Sequence, residues 1–131
     1  MIKILAAEDD KLISNSLCEA LKAAGYEPTP AYDGEEAVAK AKEVVPDLIL
    51  LDIMMPKISG FDVLDILRNT KQTAHTKIII LTALSQPADR KRAKDLGADE
   101  FLVKSQAVIA DVMNRIRFHL GVKDPNESHS S

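Results

Sequence analysis

Three carboxylic acids stand directly behind two apolar runs: Glu8 and Asp9 follow Ile2-Lys3-Ile4-Leu5-Ala6-Ala7, and Asp52 follows Leu48-Ile49-Leu50-Leu51. If those runs are neighbouring strands of a parallel sheet, the acids converge at its carboxyl edge. Like charges about 5 Å apart repel there by roughly 3 kcal/mol per pair at an effective dielectric of about 20, so the cluster needs a counter-ion. An oxygen-rich anionic pocket suits Mg²⁺, which takes one or two carboxylates and completes its octahedron with water, carbonyl and phosphate oxygens. A carboxylate beside such a cation can attack a phosphoryl group and carry it as an acyl phosphate. Asp52 is the candidate nucleophile, with Glu8 and Asp9 as the metal-holding pair. Thr82 ends Lys77-Ile-Ile-Ile-Leu-Thr82, so its hydroxyl and the Ala83 amide could donate to a phosphoryl oxygen. Lys104 ends the next run and brings a cation to the same crevice. Phosphoryl transfer is mostly positioning and charge neutralisation, and these parts supply both.

Such a site requires strands that end together. Apolar runs at 2–7, 48–51, 78–81 and 101–103 are short, continuous and rich in Ile, Leu and Val, the pattern of strands buried on both faces of a parallel sheet. A weaker run at 27–32 holds Pro28 and Pro30, which lack ladder donors, and is expected at an edge. Between the runs lie helical stripes: Ile13, Leu17, Leu21 and Ala24; Ala37, Val38, Ala41 and Val45; Phe61, Leu64 and Leu67; Ala88, Ala93 and Leu96; and Ile109, Val112, Met113, Ile116 and Leu120. Five βα units with right-handed crossovers give a doubly wound α/β sheet whose ligands sit beyond the strands' carboxyl ends.

At 131 residues and 46% hydrophobic, the chain fits one domain able to bury a substantial core. The net charge of −3 gives no footprint for nucleic acid, and no apolar run approaches the 18 or so residues of a membrane span. A single cysteine, Cys18, makes no internal disulfide, and the first residues enter a strand without a secretory leader, so the expected compartment is the cytoplasm. The stretch 121–131 is polar, with Gly and Pro punctuation, and is expected to be a disordered tail behind a domain spanning 1–120. That ending favours a stand-alone protein.

Taken together, Ala7-Glu8-Asp9-Asp10, Leu51-Asp52-Ile53-Met54-Met55-Pro56-Lys57-Ile58-Ser59-Gly60, Leu81-Thr82-Ala83 and Gly97-Ala98-Asp99-Glu100-Phe101-Leu102-Val103-Lys104 resemble the receiver domain of two-component response regulators, over roughly residues 1–120. The resemblance implies a flavodoxin-like (βα)5 three-layer sandwich with strand order 2-1-3-4-5. It implies Asp52 as phosphoacceptor and Mg²⁺ held by Glu8, Asp9, Asp52 and the Met54 carbonyl. It further implies Thr82 as switch hydroxyl, Phe101 as switch aromatic, and Met54, Thr82, Ala83 and Lys104 around the phosphoryl group. The donor would be a sensor histidine kinase or a phosphotransfer protein. The output would be a changed affinity for a downstream protein through the fourth helix, fifth strand and fifth helix, with room for a phosphorylation-dependent dimer and no direct nucleic-acid or membrane contact. Such a protein catalyses only its own phosphorylation and dephosphorylation.

Two departures from the family pattern stand out. Ser105 follows Lys104 where the family usually has proline, often in a cis bond, and the last helix is shifted against the common spacing. The family's rate-tuning positions hold Met54 and Leu84, neither of which can hydrogen-bond an attacking water. Two other functions compete. An aspartyl-nucleophile phosphatase requires a second acid two residues after Asp52, where Met54 stands. A flavodoxin-like cofactor binder requires an anion-accepting first loop, which Glu8-Asp9-Asp10 opposes. Among the remaining features, Asp10 reads as a helix cap and Pro56 and Gly60 as turn residues. The basic run Asp89-Arg90-Lys91-Arg92-Ala93-Lys94-Asp95 reads as a solvated, weakly anchored helix, and His75, His119 and His129 carry no assigned role.

Overall fold

A computed structural model describes residues 1–122; the tail expected over 121–131 lies, from residue 123 onward, outside the described residues. Five strands and five helices alternate: β1 (Lys3–Ala7), α1 (Lys11–Ala23), β2 (Glu27–Ala31), α2 (Gly34–Val44), β3 (Leu48–Leu51), α3 (Gly60–Arg68), β4 (Lys77–Thr82), α4 (Pro87–Asp95), β5 (Glu100–Val103) and α5 (Ile109–Leu120). All strand pairs are parallel and the order is β2-β1-β3-β4-β5. The chain therefore reverses direction of winding between β1 and β3, which places a crevice above those two strands.

Side-chain alternation divides the core in two. Leu5, Ile49, Leu51, Ile78 and Ile80 point to the side covered by α2, α3 and α4, where Ala37, Ala41, Leu64, Leu67 and Ala93 meet them. Ile4, Leu48, Leu50, Ile79 and Leu81 point to the other side, against Leu17 and Leu21 of α1 and Val112, Met113 and Ile116 of α5. Burying a side chain of this kind is worth roughly 1.5–3 kcal/mol. The three interior strands, β1, β3 and β4, are thus covered on both faces.

Local chemistry starts the helices near the sheet's carboxyl edge. Asp10 accepts from the amides of Leu12 and Ile13, and Asp33 accepts from Glu36 N at 2.8 Å while the Glu36 carboxylate reaches back to Tyr32 N at 2.9 Å. Ser59 caps α3, and Asp111 accepts from Val108 N at the start of α5. Helix α4 starts with Pro87 and no side-chain cap.

The two proline positions behave as expected. β2 is an edge, and its ladder to β1 runs through the odd-numbered residues: Glu27 N donates to Ile2 O and Ala31 O accepts from Glu8 N, both at 2.9 Å. Pro28 and Pro30 thus turn their missing donors outward, and the Pro30 carbonyl accepts from Lys40 Nζ at 2.7 Å.

The opposite end of the sheet is closed by one residue with no sequence signature. Arg68, at the end of α3, donates to the carbonyls of Gly97 at 2.9 Å, Thr73 at 3.2 Å, Ala74 at 3.3 Å and Thr76 at 2.6 Å, and to the Asp99 carboxylate at 3.0 Å. Asp99 in turn accepts from Ile78 N at 2.8 Å. Gly97, at φ 103, leaves room for the Arg68 side chain, which a Cβ would approach to 3.0 Å.

Candidate functional site

The β ladder continues one residue beyond β1 and β3, and that residue is in each case an acid. Glu8 N donates to Ala31 O and Asp52 N donates to Ala7 O at 3.1 Å, so both side chains emerge at the same height above the crevice. One carboxylate oxygen each from Glu8, Asp9 and Asp52 lies within 4.8 Å of the others. The sequence treats Glu8 and Asp9 alike, but the structure separates them. Glu8 is 3% exposed and accepts from Asp10 N at 3.0 Å, whereas Asp9 faces solvent.

Lys104 supplies the compensating charge. Its ammonium lies 2.8 Å from Asp52 Oδ2 and also pairs with Glu8 Oε1. The second Asp52 oxygen, Oδ1, accepts from Met54 N at 3.0 Å, so the carboxylate is held from two directions. Burial pushes the Glu8 carboxyl above its ordinary value, helped by nearby Asp52 and opposed by Lys104 and the Asp10 amide. Burial pulls the Lys104 ammonium down, but its bonds to Asp52 and Glu8 outweigh that and hold it above its ordinary value. One ammonium against three clustered carboxylates leaves the crevice anionic. The donor set is all hard oxygen, at a spacing a divalent cation can bridge, and it fits Mg²⁺ better than a soft transition metal.

The residues of β4 and β5 complete the rim. Thr82 is fully buried, and its Oγ1 accepts from Leu84 N at 3.4 Å; Ala83 is exposed. Lys104 N donates to Thr82 O at 2.8 Å, which ties the two strand ends together. Phe101 is buried, with the Arg90 guanidinium 5.0 Å from its ring centroid. The Lys104–Ser105 peptide is trans, as are all others among the described residues. Beside the acids, Lys104 lines an apolar cavity of about 360 Å³ between α1 and α5, shared with Leu12, Ile13, Leu17, Leu81 and Val112.

The loop from Asp52 to Gly60 is shaped by two glycines. A Cβ at Gly60 would lie 2.3 Å from the Asp52 carbonyl oxygen and 2.5 Å from Ile53 Cα, and Gly60 N donates to Ile53 O at 2.8 Å. Gly34, which carries no sequence motif, braces the same loop from behind. Its Cβ would lie 2.2 Å from Ile58 O, and its amide donates to Pro56 O at 3.2 Å. Between them Lys57 sits at φ 71, a backbone region unusual for its type, with its ammonium 3.4 Å from Asp33 and 3.9 Å from Glu35 of α2.

A family model described as the response regulator receiver domain matches residues 4–117. The chain belongs to that family. This receiver is 33% identical to the chemotaxis response regulator CheY4 of Vibrio cholerae, whose structure it matches with a TM-score of 0.85 over 91% of this chain and 98% of that one. It is 40% identical over 117 residues to the DNA-binding dual master transcriptional regulator RpaA of Synechocystis sp., covering 89% of this chain and 48% of that protein. It is 36% identical over 118 residues to the gliding motility regulatory protein of Myxococcus xanthus, covering 88% of this chain and 15% of that protein. The receiver thus spans about half or less of these curated relatives. The expected fold and strand order hold, the acidic cluster is the one typical of the family, and no helix among the described residues is long and apolar enough to cross a membrane.

Helix α4 is solvated as expected, with Ala93 its one buried residue, and two of its exposed cations lie over aromatic rings, Arg92 at 4.1 Å from the Phe61 centroid and Arg90 at 5.0 Å from that of Phe101. One sequence expectation needs correction. His119 is not idle, since its Nε2 lies 2.6 Å from Glu100, which Arg115 also holds at 2.7 and 2.9 Å. Burial raises the Glu100 carboxyl, but Arg115 and His119 outweigh it and leave the group below its ordinary value.

Proposed function

We propose that residues 1–120 form a phosphoacceptor switch, in which Asp52 takes a phosphoryl group from a sensor histidine kinase or a phosphotransfer protein. The observation that carries this reading is the convergence of Glu8, Asp9 and Asp52 within 4.8 Å beside the Lys104 ammonium. Mg²⁺, when bound by Glu8, Asp9, Asp52 and the Met54 carbonyl, neutralises the charge that opposes the approach of one anion to another. An Asp52 oxygen forms a bond to phosphorus as the P–N bond of the donor imidazole breaks, and that nitrogen takes up a proton. Met54 N and Lys104 fix the carboxylate's orientation before the donor arrives, so little reorganisation is left for the transfer itself. Lys104 stays paired with the new phosphoryl oxygens. The Thr82 hydroxyl and the Ala83 amide receive the others, and movement of Thr82 is passed to Phe101 and the face formed by α4, β5 and α5.

The apolar cavity beside Lys104, lined in part by exposed Leu12 and Ile109, suits a helical donor that must bring its phosphohistidine to the crevice. Met54 is 56% exposed at the site's mouth, and neither it nor Leu84 offers a group to position water, which favours a long-lived acyl phosphate. Met54→Asn or Leu84→Glu is expected to shorten that lifetime, measured as phosphate loss after labelling. The function itself is tested with Mg²⁺ and acetyl phosphate: intact-protein mass spectrometry should show one phosphoryl group on the wild type and none on Asp52→Ala. A wild type that stays unlabelled, or a variant that labels equally, refutes the reading.

A further inference from the structure

The four methionines of the chain are placed very differently. Met113 belongs to the core beneath α5, Met55 packs against the core on the opposite side of the sheet, and Met1 precedes β1, at the sheet's amino edge. Met54 belongs to neither core and is 56% exposed at the carboxyl edge, beside the acids. Its backbone fixes it there, since Met54 N donates to Asp52 Oδ1 at 3.0 Å while Lys104 holds Oδ2 at 2.8 Å. A thioether is a poor hydrogen-bond acceptor but a soft, polarisable reductant, and an exposed one is readily converted to a sulfoxide. That conversion replaces apolar surface next to the acceptor oxygen with a strongly polar S–O group.

We propose that Met54 is a modification site: an uncharged hydroperoxide converts it to the sulfoxide, whose oxygen holds a water against the phosphoryl group on Asp52, so that oxidation shortens the life of the acyl phosphate. The inference rests on the phosphoacceptor reading and adds a means of regulating that same site. In the first step one peroxide oxygen passes to Sδ. The O–O bond breaks, an S–O bond forms, sulfur gives up two electrons, and with hydrogen peroxide a water leaves. In the second step the held water bonds to phosphorus as the P–O bond to Asp52 breaks. Asp52 regains its carboxylate, and inorganic phosphate departs with the water's oxygen and protons. Charge selects the oxidant, because three carboxylates against one ammonium leave the crevice anionic and admit a neutral peroxide more readily than an anionic oxidant. Enzymic reduction of the sulfoxide resets the site.

The test treats the whole chain with hydrogen peroxide and then with dithiothreitol, which returns a sulfenic acid at Cys18 to the thiol and leaves a sulfoxide in place. Cys18 lies on α1, where burial pushes its thiol above the ordinary value against Ser14 and Lys22. Peptide mass spectrometry should find one added oxygen on Met54 well before Met55 or Met113. After labelling with Mg²⁺ and acetyl phosphate, the oxidised protein should lose phosphate about threefold to tenfold faster than the untreated one, the factor that one orienting hydrogen bond supplies. Treatment with the two methionine sulfoxide reductases, one for each epimer, should restore the slower rate. Met54→Leu, compared with itself before and after peroxide, should show no acceleration; Met54→Gln should lose phosphate quickly without peroxide; and Cys18→Ser should respond to peroxide as the wild type does. An unchanged rate with Met54 fully oxidised, oxidation confined to Met55 and Met113, or equal acceleration in Met54→Leu overturns the assignment, and a wild type that labels in those experiments leaves the phosphoacceptor reading standing. A wild type that never labels overturns both.

Discussion

Neutralising Asp9 should make the domain more stable while removing its response to magnesium. In Asp9→Asn the fold loses no hydrogen bond found among the described residues, because the helix cap belongs to Asp10 and the buried acid is Glu8. What it loses is repulsion. The carboxylates of Glu8, Asp9 and Asp52 lie within 4.8 Å of one another, and at that distance each pair costs about 1 kcal/mol in a water-like dielectric. Two pairs disappear, and physiological salt screens part of the effect, which leaves a gain of about 1–2 kcal/mol. For a domain of this size that raises the melting temperature by about 3–8 °C. The wild type, in turn, should gain about 1.4 kcal/mol from Mg²⁺ at ten times its dissociation constant, and the variant much less. Thermal unfolding followed by circular dichroism, in EDTA and then in Mg²⁺, reads both numbers. A variant that melts below the wild type in EDTA, or that keeps the full magnesium shift, refutes the claim that these carboxylates form one electrostatic unit.

Three further outcomes are expected. Gly60→Ala must push the added methyl group into the Asp52 carbonyl and Ile53 Cα, so it should cost about 1–3 kcal/mol or more in urea unfolding and slow acetyl phosphate labelling; wild-type behaviour in both assays would refute the close approach. Arg68→Lys keeps the charge but cannot reach four carbonyls and a carboxylate together, and a loss of about 2–4 kcal/mol is expected, with a loss below about 0.5 kcal/mol contradicting the hub. Glu100 holds its proton less tightly in the folded protein than at its ordinary value of 4.5, so its contribution is fully present above pH 4.5 and vanishes as pH falls through the lowered native value. Stability measured against pH should therefore fall less steeply on the acid side in Glu100→Gln than in the wild type, and parallel curves would remove Glu100 as the cause.

The frame and the acids were legible because each leaves a local signature. Continuous Ile, Leu and Val runs mark strands covered on both faces, and β3 and β4 are buried along nearly their whole length. Pro28 and Pro30 place β2 at an edge. A charged residue at the end of an apolar run is conspicuous, so the acids Glu8, Asp9 and Asp52 and the cation Lys104 could be grouped from the sequence. The sequence did not show pairs set by tertiary packing. Arg68 meets Asp99 across 31 positions and Arg90 meets Phe101 across 11, and no periodicity links them. The role of Gly34 was equally hidden, because it depends on how closely α2 approaches the loop after β3. The rings beneath the exposed Arg90 and Arg92 were hidden for a related reason, since a cation on a polar helix gives no sign of an aromatic partner brought up by another element.

The outward-facing prolines of β2 have a consequence for crowding and tethering. Along that margin a foreign strand would meet carbonyl acceptors but no amide donors between Glu27 and Ala31, and the Pro30 acceptor is already occupied by Lys40. Identical copies strung on one polypeptide, or packed densely in a cell, are thereby denied a zippering seam at this border. Any sheet-to-sheet joining is left to the far flank at β5, so the molecule has one sealed side and one sociable one.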